Sequence, residues 1–166
     1  MEDLKTFTLE EAHQHFARSI NGRVWELLQN TARSQDEDDE LLHAAHACTY
    51  HWRFVGSEVH QQRGQWLISH VHVALGHAKE ALRHAERCFE ITQSSKVSMQ
   101  DFDIAYAFEG IARAQAMLGD ETIAREFYAL AQGAGNAIAD DEDRTIFMGD
   151  FNGGDWFGLK QGTNGS

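Results

Sequence analysis

Residues 66–91 read WLISHVHVALGHAKEALRHAERCFEI and decide the fold, because two amphipathic segments meet in them at a glycine. The apolar residues of the first segment recur at helical spacing and are Trp66, Leu67, Val71 and Leu75. Small and apolar residues recur in the same way from Ala78 onwards. Gly76 stands between the two segments, where a helix can end and the chain can turn. The stretch therefore predicts two helices that fold back on each other at Gly76.

The same plan occurs a second time further along the chain. Residues 102–131 read FDIAYAFEGIARAQAMLGDETIAREFYALA, and a shift of 43 residues places Gly119 on Gly76 and Ala124 on Ala81. Internal similarity at a fixed spacing is typical of proteins built from repeated units. We therefore predict that copies of one helical hairpin stack side by side.

This pattern resembles the tetratricopeptide (TPR) repeat. The shared features are a Leu-Gly pair, an alanine five residues after the glycine and a small residue seven positions later, which are Gly76, Ala81 and Cys88 in the first copy. In that family the glycine closes the first helix and the small residues let the second helix pack closely. The repeat step of 43 residues is longer than the family's step of about 34, and the chain has no proline after the second helix. The resemblance covers about half of the chain and implies a variant all-α fold of stacked antiparallel hairpins.

The rest of the sequence extends this plan to a single domain over residues 1–166. We predict about three hairpins within residues 9–136, followed by a short C-terminal helix and an aromatic, glycine-rich tail within residues 140–166. Thr8 and Glu11 are spaced as a capping box at the start of the first helix. The predicted helices cover residues 9–31, 38–55, 58–75, 77–92, 101–118, 121–134 and 140–148.

Composition limits the classes of partner. Hydrophobic residues make up 42% of the chain and 26 acidic residues outweigh 14 basic ones, which gives a net charge of −12. A negative protein is repelled by nucleic acid and by anionic membranes, so we expect neither as a partner. The chain has no long apolar run and no apolar N-terminal segment, so we expect a cytoplasmic protein. Cys48 and Cys88 lie among apolar neighbours and are expected to be buried free thiols.

The resemblance also implies a binding groove. In TPR proteins the first helix of each hairpin lines the concave face, through residues thirteen, ten and six positions before the closing glycine. The corresponding residues are Arg63, Trp66 and His70 in one hairpin and Tyr106, Glu109 and Arg113 in the next. Aromatic and guanidinium groups are common where proteins bind peptides. In the alternative interpretation, Trp66 and Tyr106 only fill space between hairpins.

We therefore predict a non-enzymatic scaffold or adaptor that binds a protein or peptide in this groove and needs no cofactor. The sequence contains none of the glycine-rich phosphate loops, nucleophile elbows or Cys-x-x-Cys motifs that mark common enzyme classes. The family's binders of chaperone tails carry Lys and Asn where Trp66 and His70 stand here, so that ligand is not expected.

Ten histidines suggest an alternative function in metal binding. If the second and third helices form a hairpin about residue 57, His43 and His46 come near His70, and three imidazoles can hold zinc or another divalent metal. Against this, no Cys pair or carboxylate completes a metal signature, and histidines are common at the edge of a helical core.

The tail carries large apolar groups in a glycine-rich context: Phe151, Trp156, Phe157 and Leu159. Such groups need a surface to cover them. We expect them to dock on the last hairpin of their own chain. The alternative is docking on a second copy, which would make the protein a structural homodimer.

Overall fold

The computed structural model describes residues 6–159, and the regular elements within them are seven α-helices. The helices are α1 (Leu9–Gln29), α2 (Gln35–Val55), α3 (Glu58–Ala74), α4 (Ala78–Ser94), α5 (Asp101–Leu118), α6 (Glu121–Asn136) and α7 (Asp141–Asn152). The prediction of an all-α fold is therefore confirmed. Within the described residues, none of these helices combines the length and the apolar character needed to cross a bilayer.

Side-chain caps fix where the first two helices begin. Thr8 and Glu11 form the predicted capping box at the start of α1, with the Thr8 amide donating to the Glu11 carboxylate at 2.8 Å. Ser34 and Glu37 form a second box at the start of α2, with a corresponding distance of 2.7 Å. Because Ser34 caps the helix, α2 begins at Gln35, three residues before the predicted start. Its acidic first turn then lies at the positive end of the helix dipole.

Two of the inter-helix turns are built in the same way. Gly76 and Gly119 adopt left-handed backbone conformations, with φ of 81° and 84°. In both turns the amide of the residue after the glycine donates to the carbonyl five residues back, at 2.8 Å and 3.0 Å. This is the helix-ending arrangement that favours glycine, so the α3–α4 and α5–α6 connections share one geometry.

The turn between α1 and α2 has no glycine. The Arg33 guanidinium takes over the role of a cap by donating to the backbone carbonyls of Leu27 and Asn30, at 3.1 Å and 2.8 Å. It also forms an ion pair with Asp38 at 2.6 Å. A cationic side chain at a helix C-terminus satisfies otherwise unpaired carbonyls and is stabilised by the negative end of the dipole.

Helices that follow each other in the chain pack against each other, most extensively as the pairs α1–α2, α3–α4 and α5–α6. The pairs meet through α2–α3 and α4–α5, and α3 also contacts α5 directly. Helix α7 packs on α5 and α6. The helices therefore form three hairpins in sequence order, with α7 against the third.

Apolar side chains gather in two clusters. The first lies among α1, α2 and α3 and includes Val24, Leu27, Leu41, Leu67, Ile68 and Val71. The second lies among α5, α6, α7 and the tail and includes Ala105, Ala112, Ala124, Ala131, Ile138, Phe147, Phe151, Trp156 and Leu159. Alanines at the α5–α6 contact let the two helices approach closely, while aromatic side chains from α7 and the tail fill the remaining volume.

Helix α7 continues to Asn152, four residues beyond its predicted end at residue 148. Gly149 lies inside it at a cost of about 1 kcal/mol. Phe147 and Phe151 are one helical turn apart, and both are fully buried. Burying a large side chain is worth roughly 1.5–3 kcal/mol, so their packing outweighs the glycine and keeps the last turn helical.

Candidate functional site

A cavity of about 600 Å³ opens on the side of the molecule formed by α1, α3 and α5, with contributions from α2 and α7. Its aromatic lining comes from four helices and consists of Trp25, Trp52, Trp66, Phe102 and Tyr106. Its charged lining consists of Arg18, Arg63, Asp103 and Asp150. Three of the six predicted groove residues, Arg63, Trp66 and Tyr106, therefore lie in the wall of one cavity.

Trp66 is the central aromatic side chain of this wall. Its ring lies 4.7 Å from the ring of Tyr106 and stacks on His70 at 5.0 Å. The Trp25 ring, on α1 of the first hairpin, lies 6.2 Å from the Trp66 ring. The indole N–H donates to the Glu109 carboxylate at 3.0 Å. These contacts fix the orientation of the half-buried Trp66 ring, and they place His70 beside it.

Glu109 and Arg113 lie beneath the wall. They are only 3% and 4% exposed and form an ion pair across one helical turn of α5, at 2.5 Å. The other N–H groups of Arg113 donate to the backbone carbonyls of Asp155 at 2.9 Å and of Gly153 and Asp150 at 3.3 Å. Glu109 and Arg113 therefore do not point into an open groove as the resemblance implies. They have a buried structural role instead.

The reason lies in a segment of chain far from α5. Residues 150–155 offer backbone carbonyls to the Arg113 guanidinium, and Trp156 covers it with its ring at 4.1 Å from the centroid. A buried charge is tolerated only when it is paired and hydrogen-bonded. The last turn of α7 and the start of the tail supply these partners, and together they close off this end of the predicted groove.

Arg63 and Asp103 join α3 to α5 at the other end of the cavity. The Arg63 guanidinium donates to both oxygens of the buried Asp103 carboxylate, at 2.8 Å and 3.1 Å. It also lies over the Phe102 ring at 5.0 Å. The same carboxylate accepts the Gln100 amide at 3.1 Å in the cap of α5. Asp103 thus positions Arg63 in the wall and starts the helix that carries Tyr106.

Tyr106 links α5 to α7. Its hydroxyl donates to the Asp150 carboxylate at 2.5 Å. Burial and the neighbouring Asp150 carboxylate raise the pKa of Tyr106 well above its usual range. The phenol therefore stays protonated and acts as a hydrogen-bond donor that holds α7 against the cavity.

The tail docks on its own chain. Phe151 lies in the last turn of α7, and it is buried with Trp156 and Leu159 of the following segment in the cluster with α5 and α6. Trp156 lies 4.7 Å from the Tyr128 ring, and its indole N–H donates to the Phe151 carbonyl at 2.9 Å. Phe157 differs, because a φ of 53° turns it outward and leaves it 36% exposed. Docking of this segment on a second copy would require the three buried side chains to leave their own core.

The histidines meet in a different combination from the predicted one. His46 on α2 lies near His72 on α3 and His84 on α4, with one ring nitrogen of each within 4.8 Å of the others. His43 instead lines a shallow depression beside Glu40, and His70 contacts the tryptophans. His70 and His72 are two residues apart, about 200° around a helix. They therefore lie on opposite sides of α3, and only His72 reaches the side of His46.

Partial desolvation lowers the pKa of His46, His72 and His84, and neighbouring basic groups lower it further, although the His46 side chain is exposed overall. For His84 the pKa falls to about 4, because burial is reinforced by the neighbouring histidines and by Arg83. The imidazoles of this cluster are therefore neutral at neutral pH, and each has one N–H and one nitrogen with a free lone pair. Neutral imidazole is the form that binds metal ions.

Both cysteines are buried free thiols, as the sequence predicts. Cys48 also lines the cavity, where its thiol donates to the Ala17 carbonyl at 3.3 Å. Burial raises the pKa of Cys48 to about 11 and that of Cys88 to about 12. Because the thiolate is the reactive form, neither side chain is a good nucleophile at neutral pH.

Native protein at pH 8 should therefore react with Ellman's reagent at least about a hundredfold more slowly than free cysteine, since only roughly one thiol in a thousand is ionised when the pKa is about 11. In guanidinium chloride both thiols should react at the rate of an ordinary cysteine. Rapid release of one equivalent of thionitrobenzoate from the folded protein would contradict the burial of Cys48 in the cavity wall.

Several residues of the cavity escape prediction from the repeat pattern. Trp25 and Arg18 belong to α1, whose hairpin lacks the Leu-Gly signature. Trp52 and Asp150 come from helices that the resemblance does not place on the groove. Trp25 lies next to Val24 and three residues before Leu28 on α1. This position alone does not show whether the side chain lines a cavity or belongs to the core.

Comparison of the chain with protein-family models, with curated proteins and with solved structures found no match.

Proposed function

We propose that the protein is a non-catalytic binding module that takes up a peptide segment of a partner protein in the aromatic cavity. The observation that carries the proposal is the cavity itself: about 600 Å³, with three tryptophans, a tyrosine and a phenylalanine in its walls. Binding pockets in proteins commonly enclose about 300–1,000 Å³ and are lined mainly by apolar and aromatic groups. This volume suits one or two side chains of a bound segment.

The placement of the walls supports a TPR-like mode of binding. Arg18 and Trp25 come from the first helix of the first hairpin, Trp66 from that of the second and Tyr106 from that of the third. The two identical glycine turns support the same interpretation, because they repeat one hairpin plan. A stack of this kind exposes the first helices of successive hairpins along one face, which suits it to bind an extended segment.

The chemistry of the walls favours an apolar side chain. Arg63 is already paired with Asp103, and Asp150 already accepts the Tyr106 hydroxyl. These groups therefore offer little unpaired charge to a ligand. Arg18 is exposed and forms no ion pair with another described residue, so it is the charged group still open to a ligand. The rest of the lining is mainly aromatic, and aromatic rings bind flat or long apolar groups by stacking and by burial of area. We expect the segment to present an aromatic or long aliphatic side chain.

The Cys48 and Asp103 side chains in this cavity are not activated as nucleophiles. Burial raises the pKa of the Cys48 thiol to about 11, and the Asp103 carboxylate is held by Arg63. Activation of a nucleophile requires an adjacent base or a lowered pKa. The side chains of the wall are arranged to keep each other in place, which favours recognition over reaction.

A library of random twelve-residue peptides displayed on phage provides the test. We expect panning against the protein to enrich peptides with aromatic or long aliphatic residues, and a selected peptide labelled with fluorescein should bind in a fluorescence-polarisation titration. Trp25→Ala should weaken that binding at least tenfold, because Trp25 lines the cavity, is 36% exposed and stacks near Trp66.

Phe54→Ala is the matched control. Phe54 is an exposed aromatic residue of α2 that does not line the cavity, so its removal should leave the affinity within about twofold. Circular dichroism should show that both variants keep their helix content. Failure to enrich any sequence pattern, or equal affinity for the wild type and the Trp25 variant, would overturn the proposal.

A further inference from the structure

We propose that His46, His72 and His84 form a binding site for a divalent transition metal ion, with Zn²⁺ as the best match. The three side chains come from three different helices, α2, α3 and α4, and one ring nitrogen of each lies within 4.8 Å of the other two. Among the described residues, no other group of three His, Cys, Asp or Glu side chains converges in this way.

The rings are disposed around a common centre. The His72 and His84 rings are nearly parallel, with centroids 5.6 Å apart and planes at 14°. The His46 ring stands edge-on to both, at 6.2 Å and 5.6 Å and at angles of 73° and 72°. Tetrahedral zinc with Zn–N bonds of about 2.0–2.1 Å needs nitrogens about 3.3 Å apart. The ligand atoms therefore need to approach by at most about 1.5 Å, which small rotations of the side chains provide.

Hydrogen bonds at Nδ1 leave Nε2 of two of the histidines available to a metal ion. His84 Nδ1 lies 2.8 Å from the Gln65 side-chain oxygen. Because an amide oxygen only accepts, His84 Nδ1 carries the hydrogen and Nε2 keeps its lone pair. His72 Nδ1 lies 3.2 Å from His77 Nδ1. When His72 donates in this pair, its Nε2 is likewise free to bind.

This pattern is the one that metal-binding histidines show in general. A ligand histidine usually donates its second N–H to a carboxylate, an amide or backbone carbonyl, or water, which fixes the tautomer and the orientation of the ring. Gln65 on α3 serves His84 on α4 in this way. The third ligand, His46, is exposed, so its ring can adjust to the ion without disturbing the core.

The donor set selects the kind of ion. Three neutral nitrogens suit zinc, copper, nickel or cobalt, whereas calcium and magnesium require oxygen ligands. Three protein ligands leave one position of a tetrahedral site for water, and the exposure of His46 gives solvent access to it. An ion at this place would connect the first hairpin to the second, because α2 belongs to one and α3 and α4 to the other.

The site is separate from the aromatic cavity. His70 faces the tryptophans, and His72 lies on the opposite side of α3. Zinc binding and peptide binding can therefore be tested independently, and a negative result for one does not contradict the other.

Isothermal titration of the full chain with ZnCl₂, after removal of any affinity tag and of bound metal with a chelator, tests the site. We expect one equivalent to bind, and the melting temperature to rise by roughly 5–10 °C when free zinc is a hundredfold above Kd. His46→Ala should weaken binding at least tenfold. Because His46 is exposed, that variant should fold like the wild type in the absence of zinc.

His43→Ala and His13→Ala are the controls. His43 is one helical turn from His46 but outside the cluster, and His13 Nδ1 lies 2.9 Å from His51 Nδ1 in a separate pair. Both variants should keep the wild-type affinity within about twofold. Less than a tenth of an equivalent bound by the wild type, an unchanged affinity in His46→Ala, or a loss of binding in His13→Ala would each overturn the proposal.

Discussion

Replacing Arg113 by methionine should lower the free energy of unfolding by about 3–5 kcal/mol. Methionine has a similar length and fits the apolar part of the site, but it cannot donate hydrogen bonds. Glu109 would then be an unpaired carboxylate at 3% exposure, and the carbonyls of Gly153 and Asp155 would lose their donor. Urea denaturation followed by circular dichroism measures the loss.

Two further variants make the measurement specific. Arg87→Met removes an arginine whose ion pair with Glu90 is exposed on both sides, and such pairs contribute about 0–1 kcal/mol. Adding Glu109→Gln to Arg113→Met should recover part of the lost stability, because the buried charge is gone and the amide oxygen still accepts the Trp66 N–H. Equal losses for Arg113→Met and Arg87→Met would contradict the buried role of Arg113.

Replacing Phe151 by alanine should also cost about 3–5 kcal/mol, because it removes a fully buried ring and leaves a cavity. The ring contacts Phe147, Tyr128 and Trp156, with centroids 4.7–5.7 Å away. Phe157→Ala is the natural comparison, since it deletes the same atoms from a side chain that is 36% exposed. We expect it to change the stability by less than about 1 kcal/mol.

Urea denaturation measures the stability of both variants. If Phe151→Ala lowers the free energy of unfolding no more than Phe157→Ala does, the C-terminal segment from Phe151 to Leu159 does not pack on its own chain as the structure shows. Light scattering of both variants and of the wild type then shows whether the tail serves an assembly of two chains, which is the alternative that the sequence leaves open.

Local patterns in the sequence are enough to predict the helices. Thr8 and Glu11 predict the first cap because they have the three-residue spacing of a capping box. Gly76 and Gly119 predict the turns because few other residues adopt a positive φ easily. Ser34 carries the same signal as Thr8, yet the acidic run after it suggests a linker. The helix begins there because the cap and the dipole favour it more than the charges oppose it.

The candidate site depends on contacts that no local pattern encodes. Helical phase places Arg113 on the same face as Tyr106, but only the fold brings residues 150–155 to its guanidinium. Likewise, an assumed hairpin register pairs His46 with His70, whereas the rotation of α3 presents His72 instead. A shift of two residues reverses the face of a helix, so registers inferred from loop positions alone select the wrong partner.

The hydrogen bonds of Arg113 have a consequence for how the chain reaches its native state during synthesis. The guanidinium sits on α5, yet one of its acceptors is 42 residues downstream, at Asp155. While the ribosome has not yet delivered that segment, the Arg113 guanidinium keeps its ion pair with Glu109 on α5 but lacks the backbone acceptors at Asp150, Gly153 and Asp155. Among the described residues, the cluster of α1, α2 and α3 includes no side chain from residues 153–159. The nascent protein can therefore complete its first half before the last described residues have been synthesised.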